Sequence, residues 1–333
     1  MFSGVRLLFC LFVTLGAAYA EGPLQWGEDT PISITGPRAG HQLVLMNASE
    51  DLTRKAIYTA IPDDIVEIDS SGYIRPLKNG TATIRATANE ISSPERQVTV
   101  TKYEVLPPVG FVNEIVPLFT RHGCNGGSCH GKVGGQNSFR LSLMGFEPEK
   151  DRSYLTESRG RRIFRAAPAH SLLALKGSGQ LPHKGGSRLT PGGDDYKLLI
   201  DWIGQLGSPG EPDTPEPDVE RIIVMPSERI TLAEASQQLR VTAHMSDGTS
   251  RDITRAALYE SNDESMAEVD LLGLVKLRGK SGTVSVMVRF REEMAVFRAT
   301  VPLGAPMENI PAPHSLIDTH VFAKLQTLGL PPS

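Results

Sequence analysis

Two stretches of this chain, about two hundred residues apart, are written twice. Residues 51–58 read DLTRKAIY and residues 252–259 read DITRAALY. Further on, VEIDSSGYIRPLKNGTATIRA (66–86) matches AEVDLLGLVKLRGKSGTVSVMV (267–288). The offset is 201 residues for Asp51, Thr53, Tyr58, Asp69 and Gly72, and 202 for Gly80 and Thr81, with one extra residue before Gly282. Matches in order at near-constant spacing mean one folding unit used twice, with something else between the copies. Both copies read as β. Val66, Ile68, Ile74, Ile84 and Ala86 are spaced for strands with one buried face, and Val269, Val275, Val284, Val286 and Val288 repeat the pattern. Gly72 and Gly273 fall between strand runs, where a turn requires positive φ. Short strands and frequent turns over this length predict a small β-sandwich for each copy.

The chain opens MFSGVRLLFCLFVTLGAAYA, an arginine, an apolar run too short for a membrane span, and a small-residue ending at Ala20. That pattern predicts a secretory signal peptide over 1–20, so the mature chain is expected outside the cytoplasm, secreted to a periplasm or cell surface. Cys10 lies inside the apolar run and has no assigned role. No later segment is apolar enough to span a bilayer. The formal charge of −4 becomes −5 once Arg6 is removed, which selects no partner. Sparse aromatics and export argue against nucleic acid.

The copies cover 30–103 and 220–303 and resemble bacterial Ig-like domains of group 2, shown best in SDGTSRDITRAALY (246–259). Such modules act as spacers or adhesion units, and the fold alone names no ligand. Between them, 107–207 is glycine-rich and begins and ends with helical patterns. Phe111, Ile115, Leu118, Phe119 and His122 predict one amphipathic helix; Tyr196, Leu199, Ile203 and Leu206, with Leu198 and Trp202 alongside, predict another. Residues 208–219, SPGEPDTPEPDV, read as a stiff, solvated linker. The stretch 314–333 has helical spacing in Leu316, Val321, Phe322 and Leu325 and reads as the opening of a further, truncated domain.

The middle region carries the chemistry. RHGCNGGSCHG (121–131) places Cys124, Cys129 and His130 together, and these are the only cysteines outside 1–20. Three readings stay open from the residues: a disulfide closing a tight loop, a zinc clip with His183 as fourth ligand, or covalent haem attachment through C-x4-C-H, longer than the usual C-x-x-C-H. A short-loop disulfide contributes less than a long one. No G-x-S-x-G, H-E-x-x-H or phosphate loop stands in a context that supports hydrolysis.

The stretch from CNGGSCHG through LPHKGGSRL to YKLLIDWI resembles the cytochrome c-like domain of large secreted planctomycete proteins, in which Ig-like modules sit alongside. The resemblance implies a multidomain fold, two all-β Ig-like sandwiches flanking a mainly α cytochrome c-like domain. It also implies haem c bound through Cys124 and Cys129, with His130 on the iron. His183 is the expected sixth ligand, Met144 the runner-up, and His122 and His170 are less well placed. Residues 120–190 hold twelve Lys or Arg against four Asp or Glu, densest in SRGRRIFR (158–165). That excess suits haem propionates, a redox partner protein or an acidic polysaccharide. The expected function is haem-mediated electron transfer or redox sensing in the cell envelope, without catalysis. The alternative is a surface adhesion or scaffold protein whose middle domain is disulfide-bonded and haem-free.

Overall fold

Each sequence copy closes its own hydrophobic core. In the computed structural model, which describes residues 22–28, 30–48, 50–157, 162–206, 215–305 and 310–332, the first copy contributes β1 (Gln25–Trp26), β2 (Ile32–Thr35), β3 (His41–Gln42), β4 (Leu45–Met46) and β5 (Ile57–Ile61). It continues with β6 (Val66–Ile68), β7 (Tyr73–Pro76), β8 (Gly80–Ala88), β9 (Ile91–Ser92) and β10 (Arg96–Thr101). One sheet runs β2-β10-β8-β5, with β2 parallel to β10 and the other pairs antiparallel; β3-β7-β6 and the β1-β4 pair complete the opposite layer. The alternation read from sequence holds along β8, where Ala82, Ile84, Ala86 and Ala88 point inward. Val66, Ile74, Val98 and Val100 meet them from other strands.

The second copy repeats this plan. Its strands are β11 (Val219–Met225), β12 (Glu228–Ile230), β13 (Ser236–Gln238), β14 (Arg240–Met245), β15 (Ser250–Asp252), β16 (Leu258–Ser261), β17 (Ala267–Val269), β18 (Leu274–Leu277), β19 (Gly282–Phe290) and β20 (Glu293–Val301). Sheet β12-β20-β19-β16 answers β2-β10-β8-β5, including the parallel pair, and β13-β18-β17 answers β3-β7-β6. Val275, Val284, Val286 and Val288 are buried as their spacing predicts, while Ile68 and Val269 are only partly covered. Gly72 and Gly273 do take positive φ, 76° and 79°.

The helical module between the copies has a third core. The expected first helix starts as a π-helical turn, Phe111–Ile115, and continues as α1 (Val116–Arg121), with Pro117 just past the junction of the two. α2 (Pro148–Thr156) and α3 (Leu172–Gly177) are short, and α4 (Asp194–Gln205) closes the module. Trp202, read from the sequence as lying beside the main face, is the centre of that face: it is fully buried, with its ring 5.1 Å from Phe111. A last helix, α5 (Leu316–Leu328), is capped by the Ser315 hydroxyl, which accepts from the Asp318 amide, and by Gly329 in the left-handed region. Among the described residues no helix is long and apolar enough to cross a membrane. The signal peptide over 1–20 lies outside the described residues, as do 158–161 of the basic run and 208–214 of the linker.

Candidate functional site

The repeated motif D-x-T-x-x-x-x-Y builds the same turn in both sandwiches. Asp51 Oδ1 accepts from the Thr53 amide at 2.8 Å, and Asp252 Oδ1 from the Thr254 amide at 2.9 Å. The Tyr58 hydroxyl donates to the Thr53 carbonyl at 2.6 Å, and Tyr259 to Thr254 at 2.7 Å. Gly72 follows from this: a Cβ there would lie 2.9 Å from the Tyr58 hydroxyl oxygen, and at Gly273 3.0 Å from that of Tyr259.

The second carboxylate oxygen of each motif leaves its own sandwich. Asp252 Oδ2 accepts from the Gln42 amide of the first sandwich at 2.7 Å, and Asp51 Oδ2 accepts from the Gln238 amide of the second at 2.9 Å. Both glutamines are fully buried. Each turns its side-chain amide back on its own domain, Gln42 to the carbonyls of Leu43 and Ser71, Gln238 to those of Leu239 and Leu272. The arginine three residues after each aspartate also crosses over. Arg54 bonds Asp270 at 3.0 Å and the Gln238 side-chain oxygen at 2.9 Å, while Arg255 bonds Asp69 at 2.6 Å and Ser71 at 2.8 Å. The two aspartate–glutamine amide contacts are counterparts under exchange of the copies, and so are the two arginine–aspartate pairs; the Arg255–Ser71 bond is not matched, because Leu272 stands where the second copy would need the hydroxyl. The contact of the two copies is therefore a reciprocal clasp with an internal pseudo-two-fold, the arrangement of an isologous dimer inside one chain. One counterpart bond is open: Arg255 Nε and Gln42 Oε1 are both buried and unbonded among the described residues, where Arg54 Nε and Gln238 Oε1 are bonded.

Charge follows this geometry. Burial raises Asp51 to about 6 and also lifts Asp252, even though both accept backbone hydrogen bonds. Burial works on Glu28 too, but it lies against Arg240 of the other sandwich and Arg96 of its own, and these hold it down to about 2. Asp69 is brought to about 2 against its burial by Ser71 and Arg255. Buried beside Arg240 and Arg96, His41 is pushed down to about 3 and stays neutral.

The helical module docks on one side of this clasp. Arg75 of the first sandwich bonds Asp194 at 2.6 Å, and Arg121 reaches both Asp195 and the Arg255 carbonyl of the second. His122 lies 2.7 Å from Asp195, so it is a structural partner at this junction. The Arg255 guanidinium stacks on Tyr73 at 3.9 Å.

Within the module, the chain from Cys124 to Gly131 coils tightly on itself. The His130 amide donates to the Cys124 carbonyl, and the Gly131 amide to Gly126. Gly131 is the glycine this coil requires, since a Cβ would fall 1.9 Å from the Asn125 carbonyl oxygen. The structure brings His130 and His183 together, with their rings parallel within 5° and centroids 6.2 Å apart. Nδ1 of His130 lies 3.1 Å from the Phe139 carbonyl, and Nδ1 of His183 lies 2.9 Å from that of Gly186. A neutral imidazole donating from Nδ1 keeps an unprotonated Nε2. Burial, with His183, Arg162 and Lys176 nearby, lowers the His130 pKa despite that carbonyl. Cys124 packs against the helical core, and burial pushes its thiol up to about 12. Both Cys124 and Cys129 are free thiols, so the disulfide expected under the scaffold alternative is not formed. Met144 sits in a short 3-10 turn at φ 54°, and His170 ends another.

The family model of the bacterial Ig-like domain (group 2) matches residues 218–289. Those residues are a group 2 Ig-like domain. Among curated proteins none matches this chain. Similar solved structures include the S-layer protein rSbsC(31-844), 10% identical with a TM-score of 0.24, covering 87% of this chain and 29% of that one. Domains 5-6 of the S-layer protein SbsC give 10% identity and a TM-score of 0.31, covering 84% and 97% of the two chains. The neural ectodermal development factor IMP-L2 gives 9% and 0.27, covering 84% and 93%. The chain thus spans less than a third of the first of these. Scores this low establish no common fold.

These findings correct the expected function. Haem-mediated electron transfer or redox sensing requires ligands converging on one iron. Among the described residues no group of three or more His, Cys, Asp or Glu is placed to hold a metal ion. Of the four expected site residues, the structure sets His130 and His183 ring to ring, while Cys124 is a neutral thiol turned to the core. The module that is recognised is the Ig-like domain at 218–289, not a cytochrome. The clasp was missed by sequence reasoning. Its signal was present in Asp51, Asp69 and their partners at offset 201, polar residues repeated as faithfully as the apolar ones.

Proposed function

We propose that this protein is a non-catalytic scaffold of the cell surface or extracellular space. Two Ig-like sandwiches lock into one rigid body, and that body carries the small helical module at a fixed orientation. The reciprocal clasp supports the reading: two modules joined by buried, crossed carboxylate contacts hold a fixed geometry, as a load-bearing spacer needs. Domains of one chain ordinarily move relative to one another, and these crossed contacts oppose that motion. The helical module offers Arg140, Arg165, Lys184 and Arg188 at its exposed surface, and an acidic polysaccharide is the partner that this charge suits. Protease treatment of intact native cells tests the placement. The scaffold role predicts that the protein is cleaved while cytoplasmic markers survive; full protection until the cells are lysed would overturn it. A separate measurement, the intact mass of the native protein, decides the sequence expectation of haem c on Cys124 and Cys129.

A further inference from the structure

We infer that the clasp between the two sandwiches also closes between chains, so that a second copy of this protein is a binding partner through exchange of sandwiches. The argument is geometric. A contact in which Asp51 and Arg54 of one sandwich meet Gln238 and Asp270, while Asp252 and Arg255 meet Gln42 and Asp69, is the same whichever chain supplies each half. The first sandwich of one chain therefore fits the second sandwich of another without any new contact. Two chains crossed in this way satisfy two complete clasps, and the dimer is closed by a two-fold. Within one chain the tether sets an effective concentration of each sandwich for the other, so the internal clasp prevails in dilute solution. Exchange wins where chains are crowded to that level, as on a packed surface, or where the internal clasp is broken. This assembly extends the scaffold role but does not depend on where the protein resides.

Complementary charge reversal tests it with the full chain. One variant carries Arg54→Asp and Asp69→Arg, and the other carries Arg255→Asp and Asp270→Arg. Each alone opposes like charges at both arms of its own clasp, and also in any pairing with itself. Mixed one to one, the reversed first sandwich of one variant meets the reversed second sandwich of the other, and the two unaltered sandwiches meet each other. The expected result is two monomeric variants whose mixture shifts to twice the monomer mass, with both chains in one complex. A mixture that stays monomeric would overturn the inference. Asp69 and Asp270 also hold their own turns, so each variant is first checked for native sheet content by circular dichroism. If either has lost it, differently tagged wild-type chains decide the matter after being unfolded together and refolded at millimolar concentration. Co-purification of the two tags that persists on dilution supports exchange, and separate monomers refute it.

Discussion

Replacing Asp252 by alanine probes the clasp at its most buried contact. The substitution removes one acceptor from two amides, that of Thr254 in its own turn at 2.9 Å and that of Gln42 across the interface at 2.7 Å. A buried donor left without a partner costs about 1–3 kcal/mol, so two cost about 2–6 kcal/mol. Part of this is returned, because burial already disfavours the Asp252 charge. The lower half, about 2–4 kcal/mol, is the expected net loss. Asp51→Ala carries the same reasoning with the amides of Thr53 and Gln238. Once one substitution has opened the interface, the cross-domain part of the other is already lost, so the double variant loses less than the two singles combined. Urea denaturation reads this through the two tryptophans, Trp26 in the first sandwich and Trp202 in the helical module, and through far-UV circular dichroism for all the strands. The wild type shows one transition by both probes. Asp252→Ala separates them, with the second sandwich melting outside the fluorescence transition. A loss below about 0.5 kcal/mol, the level of an ordinary surface change, with coincident transitions would refute the reasoning.

Gly273→Ala forces a side chain into a backbone at φ 79° and against the Tyr259 hydroxyl; a loss of about 1–3 kcal/mol in the same denaturation is expected, and Gly72→Ala behaves alike. Acid weakens the clasp. Against burial, Arg240 and Arg96 hold Glu28 near 2, and Ser71 and Arg255 do the same for Asp69, so their contribution is complete above about pH 4.5 and lost as pH falls toward 2. Stability measured between pH 5 and pH 2 should fall less steeply in Glu28→Gln. Asp51, lifted by burial to about 6, contributes in the opposite sense between pH 4 and 6, and Asp51→Asn removes that opposing slope. Alkylation at neutral pH followed by peptide mapping should modify Cys129 well before Cys124, whose thiol burial keeps protonated.

The β framework was legible because period-two apolar spacing survives translation into strands: Ile84 and Ala86 in one copy, Val284 and Val286 in the other, are buried as read. The turn glycines were legible for a similar reason, since Gly72 and Gly273 recur at the same offset and both take positive φ. Within the helical module, spacing found the two flanking helices but not the π turn at Phe111–Ile115, which distorts the period it was read from. The repeat of Asp51, Arg54 and Asp69 at offset 201 marked residues of the clasp, but not what they touch, because its partners are not neighbours in sequence. Gln42 and Gln238 lie outside the repeated stretches, and their role appears only when strands β3 and β13 face each other's motif. The histidine pair shows the converse. Sequence singled out His130 and His183, and the fold does bring them together, yet the function attached to them did not follow from that proximity.

Hydrogen exchange at two backbone amides tests the clasp most directly. Gln42 and Gln238 each donate to a carboxylate of the opposite sandwich, so both amides should exchange as slowly as core amides such as that of Val286. Asp252→Ala should release Gln42, and Asp51→Ala should release Gln238. If both amides exchange in the wild type as fast as an open strand edge, the sandwiches do not grip one another and the scaffold account fails.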